Sequence, residues 1–202
     1  MSFFDEKAAT WDDDPAKVER AHAVAEIIRD SVPVRSDARV LDFGAGTGLL
    51  SEGLAGHVGA LTLVDSSSGM RDVIASKVAS GRLPQDTRVW DVDLETGSVP
   101  DEKFDLVVTL MVLHHVTDLP RVLAAFARLL DEGGRLAIVD LAAEDGSFHG
   151  EGFGGHHGFD PSELAEQLKG LGFTDVEVRD DVYGVEKEGR RYPLFLVSAA
   201  KA

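Results

Sequence analysis

The chain has 202 residues, of which 44% are hydrophobic and 28% charged, so its composition excludes a wholly disordered protein and fits one globular domain. Its net charge of −16, without a dense run of Lys or Arg, argues against nucleic acid and anionic membrane surfaces as partners. The lack of cysteine excludes disulfides, thiolate metal sites and a cysteine nucleophile.

The N-terminal part of the sequence predicts a helical cap. Residues 1–6 lack the basic and apolar regions of a secretory signal, and no apolar run approaches the ~20 residues that span a bilayer. Pro15 follows the acidic run 12–14 and is well placed to open a helix that continues to Arg29. The acidic run is interpreted as a solvated helix start. We therefore expect a cytoplasmic protein without integral membrane association.

Short β-rich runs then alternate with helical patterns. The β-rich runs cover residues 39–43, 60–64, 87–90, 104–110 and 135–141, and the helical patterns cover 49–55, 70–78 and 119–130. The last of these helices is the most clearly amphipathic, and Gly133-Gly134 is predicted to stop it. This alternation predicts a doubly wound α/β fold, in which helices cover both faces of a mostly parallel sheet.

The C-terminal part is predicted to close the sheet. A Gly/His-rich segment over 144–158 is expected to be a long loop, and a helix is predicted from Asp160 to its stop at Gly172. An antiparallel hairpin is predicted to follow, with strands over 173–182 and 192–199 and a polar turn over 186–189.

The predicted organisation is a single domain over residues 1–202. No internal repeat and no linker divides the chain. Its three parts are a helical cap over 1–35, a ligand-binding core over 36–142, and a loop, helix and β-hairpin over 143–202.

The most informative stretch is Val40–Gly48, in which glycines occupy alternate positions directly after a strand. Such glycines permit a tight turn and let a ligand approach bare backbone at the carboxyl edge of a parallel sheet. A dinucleotide fingerprint would need a glycine where this chain has Leu49, and no Gly-Lys-Ser/Thr follows for a P-loop. The spacing therefore counts against NAD and FAD.

Carboxylates follow the next two strands. Asp65 comes roughly 20 residues after the glycine turn, which is the spacing of a ribose-binding acid. Asp93 and Leu94 follow the third strand, where a carboxylate can accept a hydrogen bond from an adenine amino group. Together with Asp42, these residues suit a nucleoside without phosphate and a positively charged ligand such as a sulfonium. The simpler interpretations are that Asp65 caps a helix and that Asp93 belongs to a turn.

These motifs, in this order, resemble the class I S-adenosylmethionine-dependent methyltransferases, particularly the small-molecule branch that includes ubiquinone and menaquinone biosynthesis enzymes. The resemblance runs from Val40 to Leu141. It implies seven strands in the order 3-2-1-4-5-7-6 with an antiparallel C-terminal strand. It also implies S-adenosylmethionine as cofactor and S-adenosylhomocysteine as product. Residues 4–11 resemble the family's substrate-side cap, although Phe4 stands where many relatives carry Tyr.

The resemblance also assigns the cofactor site. Asp65 would hold the ribose, Asp93 with Leu94 the adenine, and the backbone of Met111 would lie near the sulfonium. The residues implied to line the cofactor are Asp42, Gly44, Ala45, Gly46, Gly48, Asp65, Ser66, Met70, Asp93, Leu94 and Met111.

Histidines are the candidates for acid–base chemistry, which methyl transfer needs only when the acceptor arrives protonated. His114 and His115 are predicted at the end of the fourth strand, facing the ligand cleft, either as catalytic groups or as ordinary turn residues. A second group of residues in the loop has the side chains of metal ligands: His149, Glu151, His156 and His157. Because no helical spacing presents these side chains together, we expect no metal site.

The favoured function is methyl transfer to a small-molecule acceptor by a monomer or homodimer. The acceptor pocket would come from the N-terminal cap, the His114-His115 turn and the loop 144–158. One alternative is a non-catalytic module that binds S-adenosylmethionine or S-adenosylhomocysteine. Another is an NAD(P)-dependent oxidoreductase, which the glycine spacing disfavours.

Overall fold

Seven strands form one sheet in the order β3-β2-β1-β4-β5-β7-β6 in the computed structural model, which describes residues 3–202. The strands are Val40–Phe43 (β1), Leu61–Val64 (β2), Arg88–Trp90 (β3), Phe104–Leu110 (β4), Leu130–Leu141 (β5), Phe173–Lys187 (β6) and Arg190–Lys201 (β7). The first five strands are parallel, and β7 runs antiparallel to both β5 and β6. The predicted strand order is confirmed.

Six α-helices and two 3₁₀ turns connect the strands over residues 3–202. The helices are Phe3–Lys7 (α1), Pro15–Ser31 (α2), Leu49–Leu54 (α3), Ser68–Ser80 (α4), Leu119–Leu129 (α5) and Pro161–Gly170 (α6), and the 3₁₀ turns are Ala8–Asp13 and Leu113–His115. Carboxylates cap the N-termini of three helices: Asp14 accepts a hydrogen bond from the amide of Ala16, Asp118 accepts one from Arg121, and Asp160 accepts one from Ser162. No helix in this part of the chain has the length and apolar character needed to cross a membrane.

Two hydrophobic layers hold the helices on opposite faces of the sheet. On one face, α5 buries a stripe that includes Val122 and Phe126, and the Phe126 ring meets the Phe43 ring edge-on at 5.2 Å. On the other face, α2, α3 and α4 bury side chains such as Val24, Leu54 and Ile74 against β1 and β2. Because both faces are covered, the central strands are buried along their whole length.

Two turns differ from the sequence prediction. Helix α5 ends at Leu129, before the glycine pair, and Leu130 already pairs with Phe104 at the start of β5. The Gly133-Gly134 pair therefore forms the irregular turn inside β5 rather than the helix stop, with Gly133 at φ +73°. The C-terminal hairpin is also longer than predicted, because its turn consists of Glu188 and Gly189, both with positive φ, as tight hairpins require.

Candidate functional site

The glycine turn lies at the carboxyl edge of the sheet, between β1 and α3, and its glycines serve different purposes. Gly44 has φ +68°, and a Cβ there would lie 2.4 Å from Cγ1 of Val112, so the turn after β1 packs directly on the turn after β4. Gly46 has φ +57°, yet a Cβ there would meet no atom within 4 Å. The backbone at Gly46 therefore borders open space, as expected where a ligand approaches bare backbone.

Asp65, at the end of β2, holds this turn in place. One carboxylate oxygen accepts a hydrogen bond from the Gly46 amide at 2.8 Å, and the other accepts one from the Ser67 amide at 2.8 Å. Burial raises the pKa of Asp65, against the lowering effect of these hydrogen bonds. Each carboxylate oxygen keeps a second lone pair, so the group can still accept hydrogen bonds from two ribose hydroxyls.

Asp42 is fully enclosed beneath the glycine turn. Its side chain accepts a hydrogen bond from the Ser51 hydroxyl at 2.6 Å and is only 1% exposed. Burial raises the pKa of Asp42 to about 7, with a further contribution from the nearby charge of Asp65. A positively charged ligand close to this carboxyl would favour its ionised form.

The residues predicted on the adenine side are spread over two elements. Asp93 is exposed and accepts hydrogen bonds from the Glu95 amide at 2.8 Å and the Thr96 hydroxyl at 2.5 Å, and the Thr96 contact holds its pKa below the usual range. Leu94 is buried beside it, whereas Met70 is buried in α4. Both hydrogen bonds of Asp93 are made within a local turn, as expected if Asp93 is a turn residue.

Three other predicted residues flank the carboxyl ends of β1 and β2. Ser66 is exposed directly after Asp65. The amide of Ala45 donates a hydrogen bond to the carbonyl of Val64 at 2.9 Å, which ties the glycine turn to the end of β2. Gly48, at φ +83°, closes the turn and precedes α3. The cofactor residues predicted around the first two strand ends therefore lie together.

Met111 follows β4 in a left-handed backbone conformation, with φ +55°. A non-glycine residue in this region costs about 1–3 kcal/mol, and such strain concentrates at functional sites. The Met111 amide donates a hydrogen bond to the Val139 carbonyl at 2.8 Å, which anchors the strained turn to β5. Met111, whose backbone was predicted to lie near the sulfonium, therefore has a strained conformation of the kind found at functional sites.

The N-terminal cap is tied to the glycine turn through an ionic network that the sequence did not reveal. Asp12 accepts a hydrogen bond from the Thr47 hydroxyl at 2.5 Å and forms an ion pair with Lys77 at 2.6 Å. Lys77 is only 3% exposed and also pairs with Glu52 at 3.0 Å. The prediction that the acidic run is merely solvated is therefore wrong for Asp12, which connects the cap to α3 and α4.

His114 lies in the turn after β4 and is 1% exposed. Its Nδ1 is 2.5 Å from Oδ1 of Asp140, a fully buried residue near the end of β5. Sequence reasoning did not single out Asp140, although a lone acid within the apolar run of β5 is the signal that could have identified it. The carboxylate fixes the orientation of the His114 ring, and Nε2 is the ring nitrogen that faces away from Asp140.

His115 and His149 complete a cluster around His114. One ligand nitrogen from each of the three histidines lies within 4.8 Å of the others. The His149 ring stacks on Phe153 at 3.8 Å, and the His115 ring meets Phe4 of the cap at 5.4 Å. Burial, followed by the nearby His114, lowers the pKa of both His115 and His149 to about 4, so both rings are neutral at pH 7. The cap, the His114-His115 turn and the loop therefore meet at one place.

The other polar residues of the loop 144–158 point elsewhere. Nδ1 of His157 lies 3.4 Å from Glu144, and the ring of His156 packs near Phe159 at 5.1 Å. Neither of these histidines, nor Glu151, belongs to a group of metal-ligating side chains within residues 3–202. The grouping considered from the sequence therefore does not form, and only His149 from it joins the cluster.

Comparison with known proteins gives the class to which this architecture and site belong. A family model described as a methyltransferase domain matches residues 17–178. The chain belongs to this family, and the prediction of a class I S-adenosylmethionine-dependent methyltransferase is confirmed. This membership also argues against the oxidoreductase alternative.

Two curated relatives show how much of a longer protein this chain matches. The chain is 31% identical over 159 residues to an uncharacterised methyltransferase of Schizosaccharomyces pombe, covering 71% of this chain and 56% of that protein. It is 34% identical over 142 residues to a ubiquinone biosynthesis O-methyltransferase of Xanthomonas oryzae pv. oryzae, covering 68% of this chain and 58% of that protein. The chain thus spans little more than half the length of these curated relatives.

A solved structure shows the same fold. Phosphoethanolamine N-methyltransferase 2 of Haemonchus contortus, in complex with phosphomonomethylethanolamine and S-adenosylhomocysteine, superposes with a TM-score of 0.72. The two sequences are 18% identical, and the match covers 87% of this chain and 51% of that one.

Proposed function

We propose that this chain transfers the methyl group of S-adenosylmethionine to a small-molecule acceptor and releases S-adenosylhomocysteine. The observation that carries the proposal is the open space at Gly46, next to the Asp65 carboxylate, whose oxygens can each accept a further hydrogen bond. Bound there, the cofactor would supply an activated methyl group, and the chain would bind it, orient it and exclude water. Since no phosphate needs to be held, carboxylates at the strand ends are compatible with this ligand.

The remaining cofactor contacts follow the predicted assignments. Asp65 would hold the ribose hydroxyls, and Asp42 would favour the positively charged methionine end. Asp93 and Leu94 would contact the adenine. The Met111 backbone would lie near the reacting centre, where alignment of donor and acceptor contributes much of the catalysis.

The acceptor side would be formed by the cap, the turn after β4 and the loop 144–158. Phe4, His115 and His149 supply an aromatic, uncharged lining at this meeting point. The strong net negative charge argues against RNA or DNA as acceptor. A general-base role for His115 and His114 remains a prediction, and it applies only to acceptors that arrive protonated.

Calorimetric binding of S-adenosylmethionine and S-adenosylhomocysteine tests the proposal. The Asp65→Ala variant is expected to bind at least tenfold more weakly than wild type, about 1.4 kcal/mol. Asp86→Ala, which alters an exposed carboxylate far along the chain from the turn, is the control and should bind like wild type. A folded wild-type protein without saturable binding would overturn the proposal.

Turnover separates an enzyme from a binding module. Wild-type protein should release S-adenosylhomocysteine when incubated with S-adenosylmethionine and members of a library of hydroxyl- and amine-bearing small molecules. Tight cofactor binding without any acceptor-dependent product would favour the non-catalytic alternative.

A further inference from the structure

We propose that His114, His115 and His149 form a binding site for a divalent transition-metal ion, with Zn²⁺ as the probe. The three histidines each offer one ring nitrogen, and these nitrogens lie within 4.8 Å of one another. Residues adjacent in the sequence supply two of the ligands, and the loop 144–158 supplies the third. The site is independent of the residues assigned to the cofactor.

The chemistry of the donors favours a transition metal. Imidazole nitrogens suit Zn²⁺, Cu²⁺, Fe²⁺ and Ni²⁺, whereas Mg²⁺ and Ca²⁺ prefer oxygen. Three protein ligands on a tetrahedral ion leave the fourth position for water or another ligand. His115 and His149 are both only partly buried, so an ion could reach the ring nitrogens from solvent.

The buried acid behind the cluster is a second, independent indication. Histidines that bind metal ions almost always donate their other ring N–H to a carboxylate or carbonyl. Asp140 takes this position toward Nδ1 of His114 at 2.5 Å and is itself fully buried. The amide of Leu141 also donates to Asp140 at 2.7 Å, which holds the carboxylate in place. A buried carboxylate behind the three histidines gives the site an anionic group on the side away from the ion.

The competing explanation is aromatic packing alone. The His149 ring lies parallel to Phe153 with an interplanar angle of 8°, an arrangement that needs no metal. The substitution His149→Phe distinguishes the two, because phenylalanine keeps a flat ring on Phe153 and removes the ligand nitrogen. His157→Ala is the matched control, since it removes a histidine of the same loop that lies outside the cluster.

Metal content is the first measurement. Protein freed of any affinity tag is equilibrated with Zn²⁺, separated from free metal and analysed by mass spectrometry of the elements. Wild type and His157→Ala are expected to retain one zinc per chain, and His149→Phe and His115→Ala to lose at least tenfold in zinc affinity. Cobalt(II) should give the visible absorption of a tetrahedral site in wild type and not in His149→Phe.

The outcomes that would overturn the proposal are distinct. One is a folded wild-type protein that retains no stoichiometric zinc. Another is equal loss of zinc in His157→Ala and His149→Phe, which would indicate diffuse surface chelation. Circular dichroism on the same samples serves as the check on folding, and calorimetry with S-adenosylmethionine reports cofactor binding. Zinc binding without cofactor binding would count against the proposed function alone, and the reverse result against the metal site alone.

Discussion

Asp140 and His114 form a buried carboxylate–imidazole pair, with Oδ1 of Asp140 2.5 Å from Nδ1 of His114. The two residues lie 26 positions apart, with Asp140 near the end of β5 and His114 in the turn that follows the neighbouring strand β4. Because both side chains are enclosed, the carboxylate determines which ring nitrogen of His114 faces the cluster with His115 and His149. The orientation of the cluster therefore depends on a residue that does not belong to it.

The substitution Asp140→Asn tests this dependence. Asparagine keeps the size of the side chain and an oxygen that can accept the hydrogen bond from Nδ1 of His114, but it removes the negative charge that strengthens this bond. We expect zinc affinity to fall about 10- to 100-fold, the usual cost of changing such a carboxylate. Zinc titration monitored by competition with a chromophoric chelator measures the change. Asp86→Asn is the control, and equal affinities in the two variants would contradict the role given to Asp140.

The contact between the loop and the His114 turn gives a second prediction. A Cβ on Gly155 would lie 2.2 Å from the carbonyl oxygen of His114, whereas a Cβ on Gly154 would meet nothing within 4 Å. The same carbonyl accepts a hydrogen bond from the His156 amide at 2.7 Å. Gly155→Ala should therefore displace the loop, and Gly154→Ala should leave it in place.

Limited proteolysis with chymotrypsin reports the displacement, since Phe148 and Phe153 lie in the loop. We expect faster cleavage at these residues in Gly155→Ala than in Gly154→Ala, with zinc slowing cleavage of the latter only. Identical cleavage patterns for the two variants would show that the loop does not rest on His114.

Gly46 gives a third prediction because its surroundings are open. Alanine at φ +57° costs about 1–2 kcal/mol, and its methyl group would enter the space assigned to the cofactor. Gly46→Ala should thus remain folded and lose at least tenfold in affinity for S-adenosylmethionine. Gly56→Ala, at φ +80° and also without neighbours, carries the same backbone cost and should retain full affinity. Calorimetry and thermal melts on both variants separate the two effects.

The buried Asp42 predicts a pH dependence of stability. Its pKa rises from 3.8 to about 7 on folding, so the folded state holds a proton that the unfolded state has released between about pH 4 and pH 7. The contribution of this group to the free energy of unfolding must then fall as pH rises through that window, by up to about 1.4 kcal/mol per pH unit. Above pH 7 the contribution is constant.

Asp42→Asn removes this titration while an amide oxygen can still accept the hydrogen bond from Ser51. We expect the stability difference between Asp42→Asn and wild type to grow in favour of the variant from pH 5 to pH 7. Urea unfolding at several pH values measures it. A difference that does not change with pH would mean that Asp42 is ionised throughout. Since the variant also lacks the negative charge, its affinity for the positively charged cofactor should be lower at pH 8.

Features of this protein that depend on neighbouring residues in the sequence could be predicted, whereas features that depend on contacts between distant segments could not. The alternation of strands and helices and the glycine turn after β1 depend on local patterns, and the structure contains both. The strand order was implied by the family resemblance and is confirmed. The Asp140–His114 pair and the Asp12–Lys77 pair depend on tertiary contacts between distant segments, which no spacing rule encodes. The Gly133-Gly134 turn was misplaced for a related reason, because pairing of Leu130 with the neighbouring strand ended the helix first.

The contact between Gly44 and Val112 has a consequence for how this family diverges. The turn after β1 and the turn after β4 pack so closely that a methyl group at position 44 would overlap the side chain at 112. The two positions cannot be substituted independently, since a larger residue at one requires a smaller residue at the other. Homologues that carry alanine or serine in place of Gly44 should therefore show compensating small residues at 112, a signature of coevolution that an alignment can reveal.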